Sequence, residues 1–402
     1  MRRPPPDADQ LAAAAVTLSS AKAPLIIAGG GVLYAQASDA LAALALQAGI
    51  PVAETQAGKG ALTWDHPLAA GAIGVTGTAA ANALAAEADV ILAVGTRLSD
   101  FTTASRSLFA HPGATLIQLN VAAFDAAKHG ALPLVADAAI GLDALGAALG
   151  SYRAPHGWTD RAHRLTTEWN TVVARVTAPS NVALPSDAQV LGAVNRAAPR
   201  DAIVVCAAGG LPGELHKLWR VQASGSYHLE YGFSCMGYEI AGGLGVKLAA
   251  PDREVFVLLG DGSYLMMNSE IATSVALHAK LVIVVLDNGG FGCINRLQAG
   301  TGGASFNNLF PDGVGVDFAA HAASLGARVW RAAGIAELET TLTQARAADR
   351  TAVIVIATDP LAATHEGGAW WDVAVPEVSN RREVEAARQA YDAATARQRV
   401  AG

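Results

Sequence analysis

The chain has 402 residues, with 52% hydrophobic residues, 16% charged residues and a formal net charge of −7, a length and core fraction that suit two domains or three small ones. No apolar run approaches the roughly 18 residues of a membrane span, and an acidic balance without a basic stripe argues against nucleic acid or a membrane as partner. The three cysteines, Cys206, Cys235 and Cys293, lie far apart without CxxC spacing, as expected of unpaired thiols in a reducing cytoplasm.

Residues 1–20 read as a linker and a leading helix. Met1 to Gln10 is rich in proline and charge, which favours extended chain. Arg2-Arg3 ahead of the alanine-rich Leu11–Leu18 has the outline of a secretion leader, but prolines and aspartates interrupt it. A helix is predicted over Leu11–Ala21. The short apolar run Pro24–Ala28 then ends in Gly29-Gly30-Gly31, which lacks full GxGxxG spacing and makes no strong nucleotide claim. A helix (Ser38–Ala48) and strands at Ile50–Ala53, Ala88–Gly95 and Thr115–Asn120 follow. Alternating strand and helix predicts a central doubly wound sheet over 21–150. Residues 151–185 carry more charge, with Trp158, Arg161, Arg164, Glu168 and Trp169, and read as a surface helix and connection. A second α/β domain spans 186–375, with strands at Ala202–Cys206, Val255–Leu259, Leu281–Leu286 and Thr351–Ile356. A charged C-terminal helix over 376–402 has Asn380 as its expected N-cap and Glu383 three residues on. The expected class is therefore α/β, with two doubly wound parallel-sheet domains.

The chemistry concentrates where two of those strands end. Val255–Leu259 runs into Gly260-Asp261-Gly262, and Leu281–Leu286 runs into Asp287-Asn288. Continuous Val/Ile/Leu runs are the mark of strands buried on both faces. Ser263–Lys280 between them has helical length and spacing. Strand, glycine turn, helix and strand form one βαβ unit, which brings Asp261 and Asn288 to the carboxyl edge where α/β folds bind ligands. Two side-chain oxygens, a backbone carbonyl beyond Asn288, two phosphate oxygens and a water would complete an octahedron around Mg²⁺. The glycines let phosphate approach the backbone and the N–H groups of the following turn.

Gly260-Asp261-Gly262-Ser263 with Asn288-Gly289-Gly290 resembles the thiamine diphosphate motif of the acetohydroxyacid synthase superfamily. The resemblance implies Asp261, Asn288 and the Gly290 carbonyl as Mg²⁺ ligands. It also implies cofactor contacts at Gly260, Gly262, Ser263, Asn288 and Phe291. A second match, Tyr231 to Tyr238, implies that Met236, with Ser234 nearby, lies under the cofactor and bends it. A third, Ala207 to Pro212, implies that the backbone at Gly210 and Leu211 meets the far end of the diphosphate. The strings Gly262–Ile271, Gly292–Gln298, Gly303–Asn308 and Gly367–Val375 more narrowly resemble the hydrolases that open a trihydroxycyclohexane-1,2-dione ring in inositol catabolism. A polyol diketone is then the implied substrate. Asn295, Arg296 and Gln298 are the leading substrate candidates, with Asn307, Asn308 and His365 behind them, and Trp370-Trp371 are expected to pack a domain edge.

The same resemblance implies an activating glutamate on a pyrimidine-binding domain that precedes everything here, in sites shared between neighbouring subunits. No catalytic residue of that kind is expected in this chain; Glu54 falls in the central domain. A split gene, a truncated sequence and a protein that holds Mg-diphosphate without turnover are all compatible with this. The expected state is a homo-oligomer or a complex with a chain bearing the pyrimidine domain. An acetolactate synthase-like carboligase, and a non-catalytic subunit, are the other readings.

Overall fold

The computed structural model describes residues 3–310, 313 and 315–399; the outermost parts of the expected leading linker (1–2) and of the tail (400–402) lie outside the described residues. Two six-stranded sheets dominate, and every pairing within them is parallel. The first holds β1 (Pro24–Ala28), β2 (Val52–Glu54), β3 (Ala69–Ala72), β4 (Val90–Val94), β5 (Thr115–Asn120) and β6 (Leu132–Val135), in the order β3-β2-β1-β4-β5-β6. The second holds β7 (Ile203–Cys206), β8 (Tyr227–Leu229), β9 (Val255–Gly260), β10 (Val282–Asp287), β11 (Arg328–Ala332) and β12 (Ala352–Ala357), in the order β11-β12-β10-β9-β7-β8.

Helices cover both faces of each sheet, so the strands are apolar on both sides. The second sheet shows this residue by residue. Val204, Phe256, Leu258, Val282, Val284 and Ile354 enter one buried cluster, and their neighbours Ile203, Val205, Val257, Ile283, Val285 and Val353 enter the other. From β7 the chain moves outward to β8, then returns to place β9 on the opposite side of β7. Connections leave β7 and β9 in opposite directions, which opens a crevice beyond their carboxyl ends. Gly260 closes β9 at that crevice, and β10 lies directly beside it with Leu286 opposite Gly260.

Several local expectations shift. The first helix runs over Ala8–Ser19, earlier than predicted, because Asp7 accepts the N–H groups of Asp9 and Gln10. The predicted helix over Ser263–Lys280 is two short helices, Asp261–Met266 and Glu270–Ala276. At the break the Asn268 amide donates to the Tyr264 carbonyl, a side-chain bond that competes with the helical ladder. Asn380 does not cap the C-terminal helix, which spans Arg382–Thr395 with no side-chain cap; the Ser379 hydroxyl instead accepts the Arg381 N–H. Trp370 packs against Tyr391, and Trp371 packs on Phe101 and donates to Asp100.

The connection is a 21-residue helix, His156–Val176, that binds the domains together. Its Trp158 donates to the Pro24 carbonyl at the start of β1, and its Trp169 shares a buried cluster with Ala80, Ala188 and Leu218. Polar contacts cross the same boundary. His216 is buried and held neutral, its pKa pushed down to about 3 chiefly by burial. Its Nε2–H donates to the Glu54 carbonyl, which leaves Nδ1 to accept from Thr76. Glu54 and Lys59 are 6% and 5% exposed, and the Glu54 carboxylate accepts the N–H groups of Gly60 and Leu62. Burial pushes the Glu54 pKa up and that of Lys59 down, while their mutual attraction opposes both shifts. Glu54 is thereby occupied in structure. Removing the Lys59 charge leaves the buried Glu54 carboxyl without the attraction that opposes its burial, so Lys59→Met is expected to cost about 1–3 kcal/mol in urea unfolding. Glu54→Gln combined with Lys59→Met is expected to cost less than the two single changes added together.

Candidate active site

The crevice beyond β7 and β9 collects four loops. Gly260 ends β9 and Asp261 opens the six-residue helix, too short for a large dipole but with first-turn N–H groups free of helical partners. Asp261 is fully buried, and neither carboxylate oxygen has a hydrogen-bond partner; the Oδ1 of Asn288, just past β10, is buried without a partner as well. Burial and the nearby Asp287 charge push the Asp261 pKa up to about 6. The N–H groups of Gly262 and Gly290 lie near enough to offset part of that shift, short of hydrogen-bond geometry. Buried polar atoms in folded proteins almost always have partners, and three hard oxygens in one crevice that no protein group bonds are of the chemical type that fits a hard cation. The described residues hold no cluster of three or more His, Cys, Asp or Glu that could bind a metal. A cation at Asp261 would have to draw its other ligands from amide and backbone oxygens, as hard-cation sites allow.

Gly290 has φ +141°, and a Cβ there would lie 2.5 Å from the Asn308 carbonyl. Only glycine fits, and the Asn308 carbonyl instead accepts the Phe291 N–H at 2.7 Å. A Cβ on Gly262 would meet the Phe291 ring at 2.9 Å and the Met236 methyl at 3.3 Å. Met236 and Phe291 thus flank the glycine turn. The loop carrying Met236 is shaped by Glu230, whose carboxylate accepts the N–H groups of Phe233 and Cys235. Ser234, at φ +52°, donates to the Ala207 carbonyl after β7.

Glu239 is the residue that sequence reasoning missed. It is fully buried and accepts the N–H of Ala208 at 3.3 Å and of Gly237 at 3.0 Å, with the Ser263 hydroxyl also against it. One carboxylate ties together the loops after β7 and β9 and the Met236 loop. Its only sequence signal is a charge on the inward side of the apolar helix Tyr238–Ala249.

The substrate candidates separate. Asn295 is half-buried on the helix Gly292–Gly300 with no side-chain bond, and Asn307 and His365 are exposed. Gln298 is taken up internally by Ala304 and Asn308. Arg296 donates to the Pro360 carbonyl at 2.7 Å and faces buried Asp187. Leu211 is buried and begins the helix Leu211–Leu218, with Gly210 at its N-terminal end. Phe233 (90% exposed), Leu265, Met266, Met267 and Phe306 are large apolar side chains left exposed on these loops and the segments that follow them.

Residues 11–145 match the family described as thiamine pyrophosphate enzyme, central domain, and residues 207–356 match thiamine pyrophosphate enzyme, C-terminal TPP binding domain. The chain belongs to the thiamine pyrophosphate enzymes. Among its relatives is a 3D-(3,5/4)-trihydroxycyclohexane-1,2-dione hydrolase of Geobacillus thermodenitrificans, 40% identical over 96% of this chain and 65% of the relative. Proteins of that name from Bacillus cereus (hydrolase 2) and Bacillus subtilis are 38% and 37% identical, over 95% and 96% of this chain. The chain spans 65% of the length of each of these relatives.

Asp261→Asn is expected to abolish Mg²⁺ binding by calorimetry in the presence of thiamine diphosphate. The metal-free protein should melt no lower than its parent, since the change removes a buried charge. A second group gives a pH signature. Burial pushes Asp187 up to about 7, against Arg296 and the Thr358 hydroxyl, while Glu214 and Asp359 raise it further. A carboxyl whose folded pKa is raised holds its proton more tightly when folded, so stability falls as pH rises from about 4 to about 7. Asp187→Asn is expected to flatten the slope of unfolding free energy across that window, by up to about 1.4 kcal/mol per pH unit.

Proposed function

We propose that this chain is the cofactor- and metal-holding portion of a thiamine diphosphate- and Mg²⁺-dependent hydrolase. Its reaction is the ring opening of 3D-(3,5/4)-trihydroxycyclohexane-1,2-dione to 5-deoxy-glucuronic acid in inositol catabolism. The observation that carries this reading is the set of bare oxygens on Asp261 and Asn288 at the switch point of a TPP-binding domain. When bound, thiamine diphosphate supplies the carbon nucleophile and the electron sink for C–C cleavage. In this reading the residues of the chain bind and orient it. Asp261, Asn288 and the Gly290 carbonyl hold Mg²⁺ on the diphosphate. The backbone of Gly260, Gly262 and Ser263, with Gly210 and Leu211 opposite, receives the phosphate oxygens. Met236, Ser234 and Phe291 line the approach to the thiazolium. Asn295, Asn307 and His365 are free to bond the hydroxyl groups of the polyol. Gln298 and Arg296 act through the loops they hold.

The apolar rim at Phe233, Leu265, Met266, Met267 and Phe306 supports docking of a pyrimidine-binding domain, from the same polypeptide, a second copy or another chain. Large exposed apolar side chains gathered at one crevice mark a contact surface. Three free cysteines support a reducing compartment such as the cytoplasm, and no helix among the described residues is long and apolar enough to cross a membrane.

One observation favours another member of the superfamily. A cavity of about 740 Å³ lies at the β1/β4 crevice of the central sheet, lined by Gly30, Gly31, Gly95, Thr96 and Asn120. It is large enough for the flavin of an acetolactate synthase-like carboligase, which would leave the purified protein yellow.

Titrating thiamine diphosphate with and without Mg²⁺, and assaying ring opening with and without an added pyrimidine-binding domain, tests these readings together. Mg²⁺-dependent binding is expected, with turnover only when that domain is present. Turnover by this chain alone would refute the shared site. Binding that never leads to turnover would favour the non-catalytic subunit.

A further inference from the structure

We infer that Arg296 is a positioning residue that locks the two glycine loops of the diphosphate site against each other, rather than a group that binds substrate. The inference rests on the diphosphate reading above and extends it. Arg296 sits on the helix Gly292–Gly300, which follows the Asn288 loop. Its guanidinium spans three loops at the carboxyl edge of the second sheet. Nη1 donates to the Pro360 carbonyl, beyond β12, at 2.7 Å. Nη2 occupies the space that a side chain on Gly210, beyond β7, would need, so a methyl group there would overlap it outright. A Cβ on Gly292 would lie 3.4 Å from Nη1 and 3.2 Å from the Pro360 carbonyl. Behind the guanidinium stands the buried carboxyl of Asp187, the first residue of the helix Asp187–Ala197.

A planar guanidinium can bond the Pro360 carbonyl with one nitrogen while the other fills the space beside Gly210, which an ammonium on a flexible stem cannot. The contact also explains why residue 210 is glycine without appeal to the backbone. Gly210 has φ −78° and ψ −28°, a conformation any residue adopts. What forbids a side chain is the seated arginine. An arginine tip is ordinarily free to move aside, but this one is tied to the Pro360 carbonyl, with the buried Asp187 carboxyl near enough to attract it. The spacing of the β7 and β10 loops, which face the two ends of a bound diphosphate, is therefore set by one side chain.

The test is a double-mutant cycle on the full chain with Arg296→Met and Gly210→Ala, plus Arg296→Lys. The readouts are the dissociation constant for thiamine diphosphate at saturating Mg²⁺ and the melting temperature without ligand. Arg296→Met is expected to weaken thiamine diphosphate binding about tenfold or more, with no rescue by lysine. Gly210→Ala should reproduce that loss by expelling the guanidinium, and the double variant should be no worse than the weaker single one. Additive losses, or a lower melting temperature with unchanged affinity, would overturn the inference and leave Arg296 merely structural. If Arg296→Met fails to fold, Gly210→Ala alone decides, since alanine fits that backbone and acts only through the arginine. If the parent itself binds no thiamine diphosphate with Mg²⁺, the proposed function fails; the coupling in melting temperature still decides whether the guanidinium seats the Gly210 loop.

Discussion

The structure turns on three buried oxygen atoms that no other group of the protein bonds. Asp261 and Asn288 bring them together at the end of two neighbouring buried strands. A carboxylate removed from water without a partner raises its own pKa and costs stability. Folded chains do not keep such atoms unless something else satisfies them. The fold around them is arranged to hold this cost in one place. Parallel pairing of β9 and β10 fixes the separation of the two residues, and the opposite exits of β7 and β9 open the space in front of them.

Much of this was legible in the sequence because burial on both faces leaves a plain mark. Val255–Leu259 and Leu281–Leu286 contain no polar residue, and such runs can only be internal strands or helical core. The glycines and acidic residues that end them then announced the crevice. The continuous helix from Ser263 was not legible as a broken one. The break depends on a single Asn268 side chain that finds the Tyr264 carbonyl, a local competition that spacing does not report. Glu239 was hidden for a different reason. An acidic residue in the first turn of a helix ordinarily faces solvent, and only the arrival of Ala208 and Gly237 makes it internal.

Arg296 shows the same limit from the other side. Its sequence context, between Asn295 and Gln298 in a helix beside the Asn288 loop, is equally good for meeting a polar ligand or for bracing the loops. The choice lies in contacts with Gly210 and Pro360, which are 86 and 64 positions away (296 − 210 and 360 − 296). Periodicity carries no information across such separations. Only the strand order does, by bringing the ends of β7, β10 and β12 to one edge.

That edge also explains why the chain is stiff where it carries chemistry. Glu239 joins the β7 and β9 loops, Arg296 ties the helix after β10 to the β12 loop and packs against Gly210 beyond β7, and Glu230 folds the Met236 loop upon itself. Each is a charged group spent on backbone N–H or C=O groups, the kind of bond that fixes a loop without needing a packed core around it. Metal and diphosphate geometry tolerates errors well below an ångström, and loops alone do not hold to that. The side chains of Phe233, Leu265, Met266 and Met267 differ from these ties: they are apolar and remain exposed. Stiff loops beneath and exposed apolar side chains on the Met236 and Asp261 segments are the combination that a contact surface requires, since apolar area left in water is stabilised only when something covers it.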